Sequence, residues 1–182
     1  MTGCTFSGNV VGINGGGMYN GDPSDATSSP TVKDCTFSGN TAGNRGGGLC
    51  NENNNKPIVM NCTFSGNIAG EGGGMSNIFA DEPAVTNCTF SDNSATYGGG
   101  MYNNNSVPAV TDCTFSGNSA DDGGGMYNNN GSPTVRNCTF SGNSATTEGG
   151  GMFNYGASVP VVRNCTFSGN SAVGSEGGGG MC

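Results

Sequence analysis

The 182-residue chain has no histidine and only five lysines and arginines. Without histidine it has no His-based catalytic triad and no His-held metal hydroxide. Thirteen acidic residues against five basic ones leave a net charge of −8, which argues against nucleic acid or an anionic membrane as partner, since both are met by basic patches. No apolar run reaches the roughly 18 residues that a membrane helix requires. The opening Met1-Thr2-Gly3-Cys4 lacks the basic and apolar regions of a secretory leader and begins inside a repeat. The expectation is therefore a mature portion or fragment of something longer, or the folded subunit of an assembly.

What the chain has in quantity is glycine, 36 residues of it, with seven prolines. Such a composition without a period reads as low-complexity disorder, and with one as a solenoid. The period is present. Cys-Thr-Phe-Ser recurs at Cys4, Cys35, Cys62, Cys88, Cys113, Cys138 and Cys165, at spacings of 31, 27, 26, 25, 25 and 27 residues. Each copy continues with Gly-Asn, or Asp92-Asn93 in one case, then four to six variable residues, Gly-Gly-Gly, and Met or Leu. A second variable stretch ends at Pro30, Pro57, Pro83, Pro108, Pro133 or Pro160. All variation in length falls in these two stretches, which read as loops.

The pattern predicts an all-β fold, a right-handed parallel β-helix over residues 1–182, with about seven turns of ~25–27 residues, three short strands per turn and no visible caps. In one turn the strands are Ala109-Val110-Thr111, Cys113-Thr114-Phe115-Ser116 and Gly124 to Asn128, with corners at Asp112 and at Gly117-Asn118. Strand alternation turns Val110, Cys113, Phe115 and Met126 inward and Thr114, Ser116 and Tyr127 outward. Stacked turns then give an inward column of Cys35, Cys62, Cys88, Cys113, Cys138 and Cys165. A second inward column holds Phe37, Phe64, Phe90, Phe115, Phe140 and Phe167. A helical reading fails, because glycine triplets cost about 1 kcal/mol per residue in a helix and the apolar positions do not recur at helical spacing.

Two motifs carry a family resemblance over the whole chain. One is Phe-x-x-Asn, from Phe6-Ser7-Gly8-Asn9 to Phe167 through Asn170; the other is Gly16-Gly17-Met18 and its six equivalents. Together they resemble the repeats of the chlamydial polymorphic membrane proteins and are similar to bacterial right-handed parallel β-helix repeat proteins. That resemblance implies an extracellular or cell-surface location, adhesion, and in some members a translocating barrel.

Several positions invite a chemical reading. The inward cysteines are either free thiols acting as small hydrophobes or disulfides, although in-register side chains point in parallel and make poor bridges. Zinc lacks any Cys-x-x-Cys spacing. Cys50 and Cys182 stand where other turns carry tyrosine, so they are expected to face outward, as intermolecular thiols or as tolerated surface thiols. Tyr102, Tyr127 and Phe153 fall in consecutive turns and are expected to form an exposed aromatic stack. Such a stack suits a sugar, a neighbouring copy, or cross-strand stabilisation alone. The Thr114 and Ser116 columns are similar to the Thr-x-Thr faces of β-helical antifreeze proteins, or reflect ordinary strand preference. Asp121, Asp122 and Glu148 neighbour one another across a turn, as calcium ligands or as solvated loop charge.

Arg136 and Arg163 stack without a facing carboxylate, and the longest loop, Asn20 to Pro30, is short for a polysaccharide lyase. No catalytic residue, cofactor or metal site is expected. Asn61-Cys62-Thr63 is a sequon that matters only in a glycosylating host. The expected role is structural or adhesive, with the chain its own head-to-tail partner in a filament and glycans or a host surface as further partners. The rivals are a carbohydrate-binding or polysaccharide-degrading helix and an ice-binding surface.

Overall fold

The computed structural model describes residues 1–21, 29–53, 55–80, 82–174 and 177–182; most of the Asn20 to Pro30 loop lies outside them. Within the described residues there is no helix, and hence none long and apolar enough to cross a membrane. Short strands build four parallel sheets, two of seven strands and two of six; in chain order the first contains Thr114–Ser116, the second Ser119–Asp122, the third Met126–Asn129 and the fourth Thr134–Arg136. Each strand pairs with its counterpart one repeat away: Phe90 with Phe115, Phe115 with Phe140, Val110 with Val135 and Met101 with Met126. The molecule is therefore a coil whose rungs are the repeats.

Two expectations need correction. Each turn has four strands, not three. The additional strand follows the Gly-Asn corner, as at Ser119–Asp122, in the stretch read as a loop. Its first two residues alternate out and in like any strand, with the small Ala42, Ala69, Ala120 and Ala145 pointing to the core. Only its far end varies in length, and the extra residue in Ser144–Glu148 is absorbed as a bulge. The turn count also falls, to about five, because five turns have a strand in all four sheets and three strands remain at each end. Phe37, Phe64, Phe90, Phe115 and Phe140 are completely buried, whereas Phe6 and Phe167 are only partly covered.

The core is a set of homogeneous columns. Phenylalanine rings stack at centroid distances of 4.6–4.8 Å with interplanar angles of 2–6°. Valine, cysteine and methionine columns complete the interior. Each buried phenylalanine is worth about 1.5–3 kcal/mol over leaving it in water, so stability is spread evenly along the axis.

The corners follow from backbone chemistry. Gly3 precedes Cys4, and the residue before each later motif cysteine is Asp or Asn in the left-handed region, as at Asp112 (φ 54°) and Asn137 (φ 53°). The glycine triplet makes a tighter corner. Gly123 has φ +67°, a Cβ on Gly124 would lie 2.6 Å from the Gly150 carbonyl oxygen, and one on Gly125 would lie 2.9 Å from the Phe140 ring. Position one needs the conformation and positions two and three need the space. The third strand accordingly starts after the glycines, at Met126–Asn129 rather than at Gly124.

Buried asparagines hold the rungs in register. Asn118 donates its backbone N–H and its Nδ2 to Asn143 Oδ1 (3.0 and 2.9 Å) and its second Nδ2 hydrogen to the Phe90 carbonyl oxygen (3.0 Å). The pattern repeats through Asn40, Asn67, Asn93, Asn118 and Asn143, all with no exposed surface. A second ladder joins Asn51, Asn77, Asn103 and Asn128 through single Nδ2 to Oδ1 bonds of 2.9 Å. A buried amide must satisfy its polar atoms or lose their hydration uncompensated, and a neighbour one rung away is its natural partner.

Candidate functional site

The inward residues lie where the alternation puts them. Cys35, Cys62, Cys88, Cys113 and Cys138 are buried, Cys165 and Phe167 are partly covered at the last rung, and all nine cysteines are free thiols. Each thiol bonds rather than sitting idle: the Cys113 N–H donates to Cys138 Sγ at 3.4 Å, and Cys113 Sγ donates to the Thr111 carbonyl at 3.2 Å. The neighbouring Cys113 thiol and then burial raise the Cys138 thiol above the ordinary range. Burial keeps Cys35, Cys62, Cys88, Cys113 and Cys138 out of contact with solvent. On the opposite face of the same strands Thr114 is exposed and Ser116 half-buried, so the hydroxyl columns face water.

The outward face of the third sheet departs from expectation. Cys50 is fully buried, and Glu52 lies over it, its Oε1 3.7 Å from Cys50 Sγ. Burial first, and then the Glu52 charge, push that thiol well above the ordinary range. Cys50 is thus not a surface thiol available to another chain; Cys182 is exposed. Tyr102, Tyr127 and Phe153 are likewise 3%, 7% and 8% exposed, and with Ile78 they form a second apolar cluster outside the barrel. They do not make a flat stack: Tyr127 and Phe153 are 5.1 Å apart but tilted by 53°. Alternation reports which side of a strand a residue occupies, not what else covers that side.

What covers them is the far end of the second sheet. Its final positions align as Glu71, Tyr97, Asp122 and Glu148 in successive rungs. These residues stand across the glycine corner from Tyr102, Tyr127, Phe153 and Tyr155, and the two rows enclose a cleft of about 560 Å³. Tyr97 and Tyr127 meet at 5.3 Å and 55°. Burial raises the Tyr127 hydroxyl pKa, with Tyr102 and Asp122 adding to it. Asp122 is also raised, by burial first and by Asp121 beside it. One of its carboxylate oxygens, Oδ1, is buried without a hydrogen-bond partner among the described residues.

At the near end the small Cys50 and Ser76 take the place of aromatics, and charged groups gather there instead. Arg45 bridges Glu71 (Nε to Oε2, 2.8 Å) and Glu52 (Nη1 to Oε1, 3.2 Å), and Tyr19 donates to Glu52 Oε2 at 2.9 Å. Burial and that bond push the Tyr19 hydroxyl up to about 12. Arg45 does not stand out in the sequence; its signal is its place four residues before Leu49, where other copies carry no base.

The remaining candidates are not brought together. Asp121 accepts from Thr146 Oγ1 at 2.9 Å, and no group of three metal-ligating side chains forms among the described residues. Arg136 and Arg163 pair in register on the fourth sheet, and neither makes an ion pair among the described residues.

The family model for the right handed beta helix region matches residues 1–133, and that for the Chlamydia polymorphic membrane protein repeat matches residues 137–151. No curated protein and no solved structure gives a match. With the family model spanning most of its length, and parallel sheets closing one rung per repeat, the chain belongs to the right-handed β-helix family.

Proposed function

We propose that the chain is a structural and adhesive rod at the cell surface, and that its copies associate end to end. The short match to the polymorphic membrane protein repeat supports a surface setting. The observation that carries the reading is the continuity of the inner columns. Identical side chains run from Phe6 to Phe167 in one register, and those two end rings remain partly exposed. An apolar column with an open strand edge is a template for another rung. At the first rung Val10 and Ile13 are 79% and 66% exposed, and at the last Val173 is 83% exposed. Such contact is head-to-tail and does not close, so it gives filaments rather than rings.

Against a polysaccharide-degrading role stands the placement of charge. Among the described residues Arg136 and Arg163 make no ion pair, and Arg45 is paired with two carboxylates, so no unpaired base and acid face one another there. Sedimentation and negative-stain microscopy of the 182-residue chain test the assembly. Rods that lengthen with protein concentration are expected. A net charge of −8 makes copies repel, so lengthening should increase as salt screens it. Val10→Lys with Val173→Lys should shorten the rods. Compact monomers at every concentration and salt would remove the assembly part of the proposal, and failure of chain-coated beads to attach to cells would remove the adhesive part.

A further inference from the structure

The cleft between the second and third sheets has the chemistry of a receptor for positive charge. Tyr97 and Tyr155, 38% and 56% exposed, present ring surface to it, while Tyr127 and Phe153 form its floor. Neighbouring ring planes are inclined to one another by 30–55°, so the rings curve around the cleft instead of forming one flat platform. Asp122 and Glu148 are register partners in adjacent strands, and like charges placed so repel. None of the chain's five basic residues pairs with either one. Asp122 and Glu148 both line the cleft and are both partly exposed there. An aromatic enclosure with uncompensated carboxylates attracts a cation through both ring faces and charge.

We propose that this cleft binds an ammonium group carried on an apolar stem, its methyl or methylene groups against the tyrosine rings and its charge at Asp122 and Glu148. A choline-type head group, a polyamine and a lysine side chain share that chemistry. The proposal goes beyond the structural reading of the rod and stands or falls separately, because it concerns one face of a single molecule.

The protein carries its own probe. It has no tryptophan and five tyrosines, four of which line the cleft, so tyrosine fluorescence reports the site directly. Titrations with choline, with spermidine and with a lysine-containing peptide are the three arms; whichever quenches at lowest concentration identifies the source of the ammonium group. Saturable binding is expected in at least one arm, and 3,3-dimethylbutan-1-ol, the uncharged analogue of choline, should bind at least about tenfold more weakly than choline if choline is the ligand. Asp122→Asn with Glu148→Gln should weaken binding by about tenfold or more, with circular dichroism and melting temperature showing the fold retained. Tyr155→Ala, at an exposed position, should weaken it several-fold without touching the core. No saturation in any arm, equal binding by the carboxylate double variant, or preferential binding of a neutral oligosaccharide would overturn the proposal.

Discussion

The inside of the first sheet and the outside of the third are both columns of side chains stacked rung on rung, yet they obey different rules. Inside, every position faces its own copy at 4.6–4.8 Å, and a change of size in one rung leaves a void or a clash in two others. That column is phenylalanine throughout. Outside, the column reads Tyr19, Cys50, Ser76, Tyr102, Tyr127 and Phe153. Variation is accommodated there because the neighbouring row adjusts: Arg45, Glu52 and Glu71 where the column is small, and Tyr97, Asp122 and Glu148 where it is large. Repetition is imposed where packing is closed on all sides, and chemistry that differs between rungs accumulates where one side opens to water.

Substitutions can break this contrast. Phe115→Ala should cost about 3–5 kcal/mol, the range for an aromatic removed from a core that cannot collapse. The matching Tyr127→Ala should cost roughly half as much or less, because water can enter the cleft. Urea denaturation of the pair reads the difference, and equal losses would mean the outer cluster is as closed as the core. Next in size is Asn118→Ala, which removes the Nδ2 donor to the Phe90 carbonyl and Asn143 Oδ1 and the Oδ1 acceptor of Asn93, and should cost roughly 2–3 kcal/mol. The effect should appear as a lower melting temperature with little change in surface properties.

The smallest effect concerns pH. Burial raises the Asp122 pKa in the folded state, so ionisation of this group opposes folding. Its contribution is favourable below the unfolded carboxylate value and is lost as pH rises through the raised folded value. Asp122 is partly exposed, so the effect is small. Asp122→Asn should therefore raise the melting temperature slightly at neutral pH and leave it unchanged at acid pH. An equal shift at both would assign the change to packing instead of charge.

Much of the fold was legible because the same sentence is written seven times. The Cys, Phe, Met and Val columns, the left-handed Asp or Asn before each motif cysteine from Cys35 onward, and the outward Thr and Ser all follow from a period plus alternation. The second strand was hidden because its two regular residues, Ser-Ala, are too short to show alternation before the length begins to vary. The Phe-x-x-Asn asparagines were read as turn residues. Their signal was constancy: a turn exchanges Asn, Asp and Gly, as the position before it does at Asp92, whereas Asn9 through Asn170 never changes. Of the cleft, Tyr102, Tyr127, Phe153, Asp122 and Glu148 each stand out in the sequence, but in separate columns.

What the sequence determined alone is everything that depends on a residue and its copy one repeat away, since stacking places equivalent positions in contact whatever the loops do. What only the tertiary structure decided is everything between different positions of the repeat: that Glu52 buries Cys50, that Asn118 bonds upward to Asn143 and back to Phe90, and that the ends of the second strands close over the third-strand tyrosines. Those contacts depend on the angle at which the glycine corner joins two sheets, which is a property of the folded backbone and has no counterpart in the period.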